Sequence, residues 1–201
     1  MGSGRDVNQR RVFLNVPFDK GYEPLFVSLL CAIVSLGRVP HCVLEVPDDG
    51  IGRLVRILRL MRSCPVSVHD LSRVGVPVRF NMPFELGIAF TLSRIGNDHK
   101  FFILEAREYR LQKTLSDVNG IEPCIHKATA KGIISCAIDH LGTTNEKPDP
   151  KTIRRIQRQL WKSVPKLKAI HGRTNIFCRP IFTELVEGAA LLAKKEGLID
   201  D

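Results

Sequence analysis

Long apolar runs are missing from this chain: no stretch approaches the ~20 residues that a membrane-spanning helix requires, so no membrane association is expected. Tryptophan and tyrosine are also scarce, at 1 and 2 among 201 residues, and no nucleic-acid recognition motif is present. There is no Cys-x-x-Cys pair; the six cysteines, at 31, 42, 64, 124, 136 and 178, are scattered, and most sit in apolar runs. Reduced, buried thiols in a cytoplasmic protein are expected, without a zinc site. The six histidines never fall at metal-ligand spacing, so no metal is expected, and His41, His99, His126, His140 and His171 read as structural. The opening Met-Gly-Ser-Gly-Arg-Asp lacks the apolar run of a secretory signal, and neither an internal repeat nor a low-complexity tract is present.

Charge is abundant but local. The chain carries 30 Lys+Arg against 21 Asp+Glu, a formal net charge of +9. Between Lys151 and Pro180 there are nine basic residues and no acidic one, so the remainder is balanced at 21 against 21. This excludes a uniformly basic packing protein and indicates a neutral body with one basic segment.

Apolar patterning divides that body into alternating elements. Residues 11–16 form a short buried strand ended by Pro17. Leu25, Phe26, Leu29, Leu30, Ile33 and Leu36 recur at helical spacing before Gly37. His41–Val46 is expected as the second strand, 51–61 as an amphipathic helix, and Val66–His69 as the third strand. Pro83 is placed as the first residue of the next helix. Phe101–Glu105 is the fourth strand, 106–120 a polar stretch, 123–126 a short fifth strand and 128–141 a helix. Near-continuous apolar strands alternating with helices predict an α/β fold: a five-stranded parallel sheet with helices on both faces. After the linker 142–150, residues 151–198 are expected as a C-terminal helical extension, disturbed at Pro165.

In such sheets ligands bind beyond the carboxyl ends of the strands. Asn15–Gly21, His69–Met82 and Glu105–Gly120 fall there. The middle segment leads into a helix whose first turn carries Glu85, where dipole and free amides stabilise a carboxylate by ~0.3–1 kcal/mol. Glu85 is therefore either a helix-start residue or a functional acid. Its neighbours Arg79, Phe80, Asn81 and Met82, together with Gly87 and the strand-end Asn15, suggest a pocket. His69 and Asp70 are adjacent, so they point in different directions; His69 is read as a structural hydrogen-bonding residue or as an acid–base group. Asp117, in Ser116-Asp117-Val118-Asn119-Gly120, is either a ligand contact or ordinary turn chemistry.

The pattern Val12-Phe13-Leu14-Asn15-Val16-Pro17-Phe18-Asp19, followed by Ser67-Val68-His69-Asp70-Leu71-Ser72, resembles the TIR-like fold. The box Glu85-Leu86-Gly87-Ile88-Ala89 is similar to that of nucleoside 2-deoxyribosyltransferases and to the Glu-Leu of TIR domains. The resemblance covers residues 10–142 and implies a five-stranded parallel flavodoxin-like sheet, with Glu85 as the catalytic carboxylate of N-glycosidic cleavage. NAD or a related nucleotide or nucleoside would be the substrate, with no separate cofactor, and the setting would be a bacterial defence effector. It implies a ligand site at Asn15, Pro17, Phe18, Asp19, His69, Asp70, Ser72, Arg79, Phe80, Asn81, Met82 and Asp117. In it Phe18, Phe80 and Met82 would line a base, Asn15, Asp19, Asp70 and Ser72 would bond ribose hydroxyls, and Arg79 would meet a phosphate or carboxamide. A homo-oligomer is implied as well.

Asn81-Met82 stand where TIR enzymes carry Trp-Cys, and the Asp-x-Gly-Thr of deoxyribosyltransferases is absent. An inactive TIR-like nucleotide sensor or adaptor is therefore the alternative. A third reading uses Lys151, Arg154, Arg155, Arg158 and Lys162, which share one helix face, as a contact for nucleic acid or a protein partner within 151–179, against the plainer account of a solvated face.

Overall fold

The computed structural model describes residues 8–46, 50, 52–73, 80–95, 98–118, 120–143 and 147–200, with only the backbone of Asp117. Its β-strands are β1 (Arg11–Asn15), β2 (Val39–His41), β3 (Val66–Asp70), β4 (Lys100–Glu105) and β5 (Cys124–Ile125), arranged in one parallel sheet in the order β2-β1-β3-β4-β5. This is the flavodoxin-like order, in which the chain reverses direction across the sheet between β1 and β3. Register aligns Asn15 with His69, Asp70 with Leu104, and Glu105 with Ile125, so the carboxyl ends of β1, β3, β4 and β5 form one edge. The buried runs of these strands are what a sheet covered by helices demands.

The chain falls into two compact units, Met1–Pro17 with His41–Lys127, and Phe18–Pro40 with Ala128–Asp201. In the first, α2 (Arg53–Arg62) and α3 (Asn81–Arg94) supply an apolar layer. Phe13, Ile57, Met61, Cys64 and Ala89 pack together there, with Ile88, Leu92 and Phe101 against them. A second cluster joins Leu71, Met82, Leu86, Ile103 and Leu111. Leu111 belongs to α4 (Arg110–Thr114), which with a 3-10 turn at Ser116–Val118 lies in the polar stretch 106–120. Leu111, Leu115 and Val118 recur at three and four, and burying that stripe orders the segment.

The second unit gathers α1 (Glu23–Ser35), α5 (Ala130–Leu141), α6 (Pro150–Trp161), α7 (Val164–Ile170) and α8 (Arg179–Lys195). Thus α1 and α5, counted with the sheet in the sequence, share a unit with the C-terminal helices. Glu23 is 3% exposed, and its carboxylate accepts from Lys168 Nζ at 2.6 Å and from the Ile176 amide at 3.2 Å. Those bonds meet the cost of burying its charge. Gly188 of α8 packs closely on α6, where a Cβ would lie 2.9 Å from Leu160 Cδ1 and oblige that side chain to shift.

Several expectations need correction. The second strand is not His41–Val46: it ends at His41, and residues 43–45 form a 3-10 turn. The Glu45 carboxylate takes the Cys42 amide at 2.8 Å and meets His41 Nδ1 at 2.9 Å, and such local bonds compete with strand pairing. Helix α3 starts at Asn81, two residues before Pro83; its third position still lies where backbone N–H groups have no intrahelical acceptor, so proline is tolerated. Pro165 does more than disturb the C-terminal helix: it begins α7 as the second residue, after a break at 162–163. Finally, Cys31, Cys42, Cys64 and Cys178 are free thiols, whereas Cys124 and Cys136 are disulfide-bonded, a difference that scattered spacing does not encode. Among the described residues no helix is long and apolar enough to cross a membrane, and no group of three metal-ligating side chains occurs.

Candidate functional site

The carboxyl edge of the sheet gathers polar side chains that have no reason to be buried for packing alone. Asn15, at 4% exposure, ends β1. Its Nδ2 donates to the Met82 carbonyl at 3.2 Å and lies 3.0 Å from His69 Nδ1. Alternation along β3 puts His69 and Ser67 on one side of the strand, with His69 Nε2 2.8 Å from Ser67 Oγ. From Ser67 the contacts continue to His99 Nε2 at 2.9 Å, and from His99 Nδ1 to the Cys64 carbonyl at 2.9 Å. All of these side chains are buried. Burial pushes His69 down to about 3, assisted by the charge His99 would carry; burial also lowers His99. Both imidazoles are therefore neutral at ordinary pH.

Asp70, one residue on, faces the other side. It and His126 are both fully buried, with Oδ2 3.3 Å from His126 Nε2. Ser72 Oγ reaches the same nitrogen at 2.8 Å, and the Ser72 amide donates to Asp70 Oδ1 at 2.8 Å. Because Ser72 and Asp70 approach one ring nitrogen rather than opposite ones, this cluster is not a Ser-His-Asp relay. It fixes the loop leaving β3 instead. Glu105, at the end of β4, is 1% exposed and accepts from the Ala106 amide at 2.5 Å, the Arg107 amide at 3.3 Å and the Arg110 guanidinium.

Glu85 lies one turn into α3 and is 5% exposed. Burial raises its pKa above the usual carboxylate range, opposed by the positive charge of Arg53 and by a hydrogen bond from Asn81. Asn81 and Glu85 are four apart on one helix, so they face each other. The carboxylate is thus sheltered, with one cation and one amide to support its charge. That is the condition in which such a group changes protonation readily or holds a nearby positive charge strongly.

The structure brings Asn15, His69 and the Met82 backbone into one cluster, and Asp70 with Ser72 into another. Pro17 is buried, two residues past the end of β1. Phe80 is 76% exposed at the start of α3, whereas the Met82 side chain is packed in the apolar cluster and offers the edge only its carbonyl. Phe18 belongs to the second unit, where its ring packs on Phe26 and Phe177 at centroid distances of 6.2 and 5.2 Å. The Asp19 carbonyl there accepts from the Tyr22 amide at 2.9 Å. Arg79 lies outside the described residues, as does the side chain of Asp117, whose backbone is in the 3-10 turn. Ser67, Glu105, His99 and His126 were not singled out as site residues. Period-two alternation from His69 would have found Ser67, and Glu105 ends an apolar run, but nothing local marks the two histidines.

Beside this edge, α3 presents an uncharged face. Phe84 is 58% and Phe90 41% exposed, and the first charged residue beyond Glu85 is Arg94, whose guanidinium sits 5.2 Å from the Phe90 ring centroid. A shallow groove of about 400 Å³ runs here, lined by Leu58, Phe84, Gly87, Ile88, Thr91 and Leu92. A Cβ on Gly87 would meet nothing, so this glycine leaves a notch rather than relieving a clash. No protein-family model matches the sequence, and no curated protein matches it either.

Proposed function

We propose that the chain is a TIR-like or deoxyribosyltransferase-like N-glycosidase acting on NAD or a related nucleotide or nucleoside, with Glu85 as its catalytic carboxylate. The observation carrying this reading is the sheltered Glu85, 5% exposed on the helix that leaves the polar carboxyl edge of a parallel sheet. In the reaction the C1′–N bond breaks and its electron pair leaves with the base. Positive charge develops at C1′, and an ionised Glu85 stabilises it or traps it covalently. Water then adds its oxygen to C1′ and gives up a proton, for which the same carboxylate is the acceptor; a sugar or base acceptor in place of water makes the reaction a transfer. Asn15 supplies a polar group for a ribose hydroxyl, while Asp70 and Ser72, tied to His126, hold the loop beside it. The expected result is free base released from NAD or from one of a panel of nucleosides. Absence of release by wild type in every assembly state, or equal release by Glu85→Gln, would reject the reading.

The same residues support a binding-only sensor as the second reading. It is favoured by the Met82 side chain, which is committed to the core where TIR enzymes carry cysteine. Saturable nucleotide binding without turnover discriminates it. The basic face of α6 supports the third reading less well, since Arg155 is paired with Glu196; binding to DNA or RNA that falls steeply with salt would revive it.

A homo-oligomer forms part of the proposal. The face of α3 around Phe84 and Gly87 carries no charge, so a second copy can meet it without like-charge repulsion. Phe84→Asp is expected to shift the protein towards the monomer in sedimentation velocity. An unchanged distribution at matched concentration would remove α3 from the interface.

A further inference from the structure

The buried contacts running from Cys64 to Met82 admit only one arrangement of protons. The Cys64 carbonyl can only accept, so His99 Nδ1, 2.9 Å away, carries a hydrogen. With His99 neutral, its Nε2 is an acceptor, and the Ser67 hydroxyl 2.9 Å away donates to it. Ser67 Oγ, having one hydrogen, must then accept from His69 Nε2 at 2.8 Å. That leaves His69 Nδ1 as an acceptor, and the group facing it at 3.0 Å must be the amide nitrogen of Asn15. The far end imposes the same direction independently, because the Met82 carbonyl 3.2 Å from Asn15 can also only accept. A flipped carboxamide would set Oδ1 against two acceptors at once, a penalty that is large for buried groups.

We propose that Ser67, His69 and His99 are positioning residues that lock the Asn15 carboxamide with both hydrogens turned inward, so that Asn15 offers a bound ligand an acceptor only. This deepens the glycosidase reading and rests on it for the ligand: the group met by Asn15 Oδ1 is a hydrogen-bond donor, a ribose hydroxyl. Asn15 keeps 4% of its surface exposed, and Oδ1 is its only polar side-chain atom outside the chain of bonds. A hydroxyl donor is accepted at such an atom, while an ether oxygen or a fluorine at the same place meets it lone pair to lone pair. His69 is walled by the rings of Phe13 and Phe101, each 6.4 Å from its centroid, and His99 is the ionisable group acting on it. These rings shield the alignment from solvent.

Two measurements test this. In ¹⁵N-histidine NMR, His69 is expected as the Nε2–H tautomer and His99 as the Nδ1–H tautomer, with His69 not titrating down to pH 5. The same tautomer for both, or protonation of His69 above pH 5, overturns the proposal. Asn15→Asp removes both inward donors and is expected to bring His69 into titration near neutrality; if that variant does not fold, Asn15→Leu carries the comparison. The second measurement is calorimetric, with NAD, adenosine and its 2′-O-methyl and 3′-O-methyl derivatives. Wild type should lose about tenfold in affinity, or more, for one of the two ethers, a penalty of the size expected for one unmade hydrogen bond, and Asn15→Leu should lose that discrimination. Equal affinities for hydroxyl and ether overturn the ligand assignment. Binding of none of these probes removes the glycoside reading together with the ribose hydroxyl, while the tautomers still decide the orientation of Asn15.

Discussion

Stability is expected to fall as pH drops below about 6.5, with His69 alone contributing a slope of ~1.4 kcal/mol per pH unit once the unfolded imidazole is protonated. In the folded protein burial holds His69 down to about 3, against 6.5 for the free side chain. Between those values the unfolded chain binds a proton that the native state refuses, so stability is present above 6.5 and lost towards 3. His99, lowered by the same cause, adds a loss of the same sign that begins in the same range. Glu85 acts oppositely: its raised pKa means that the native carboxylate takes up a proton before the unfolded one, which offsets part of the loss in acid. Urea unfolding at pH 7, 6 and 5 measures the sum. His69→Gln keeps a donor and an acceptor but cannot titrate, and its pH slope should be shallower by about one proton's worth. Parallel slopes for wild type and variant would show that His69 is protonated, or accessible, in the native state.

Glu85→Gln is expected to move stability and activity in opposite directions. When ionised, Glu85 is held in a buried position that raises its pKa, so its charge is a cost to the fold. Glutamine removes the charge while retaining an oxygen for the hydrogen bond from Asn81, and the melting temperature should rise. The difference should fade as pH falls through the raised pKa, because wild type then carries a neutral acid as well. Base release should fall by ~10²–10³-fold, the scale on which one group aimed at developing charge acts. A stabilised but inactive variant is the signature of a functional carboxylate kept at the expense of stability. If melting is unchanged, Glu85 is better solvated than its 5% exposure implies. If activity is unchanged, the carboxylate of the glycosidase must be sought elsewhere.

Much of the first unit was legible because buried parallel strands are written as apolar runs. Val12-Phe13-Leu14 and Phe101–Leu104 announced β1 and β4 to within a residue. The short strand β2 ends earlier than hydropathy suggests, because Val43-Leu44 looks like strand while Glu45 folds back on the Cys42 amide. That bond depends on a side-chain conformation, not on hydropathy. At the site, Asn15, His69 and Asp70 were recognisable as strand-end residues and Glu85 as a first-turn acid. Their partners were not: Ser67 meets His99 across 32 residues, and Ser72 meets His126 across 54.

The limit has a physical origin. Hydropathy periodicity carries which segments are strands and helices, which residues end them, and that charge concentrates in 151–180, because each is a property of a few neighbouring residues. The grouping of 18–40 with 128–201 and the single allowed direction of the bonds from Cys64 to Met82 are of another kind. They depend on the parallel register that sets Asn15 beside His69, and on burial that denies both imidazoles a second proton. Each polar group there reads as ordinary in its own segment; folding, by withholding water from all of them together, gives the set its one orientation.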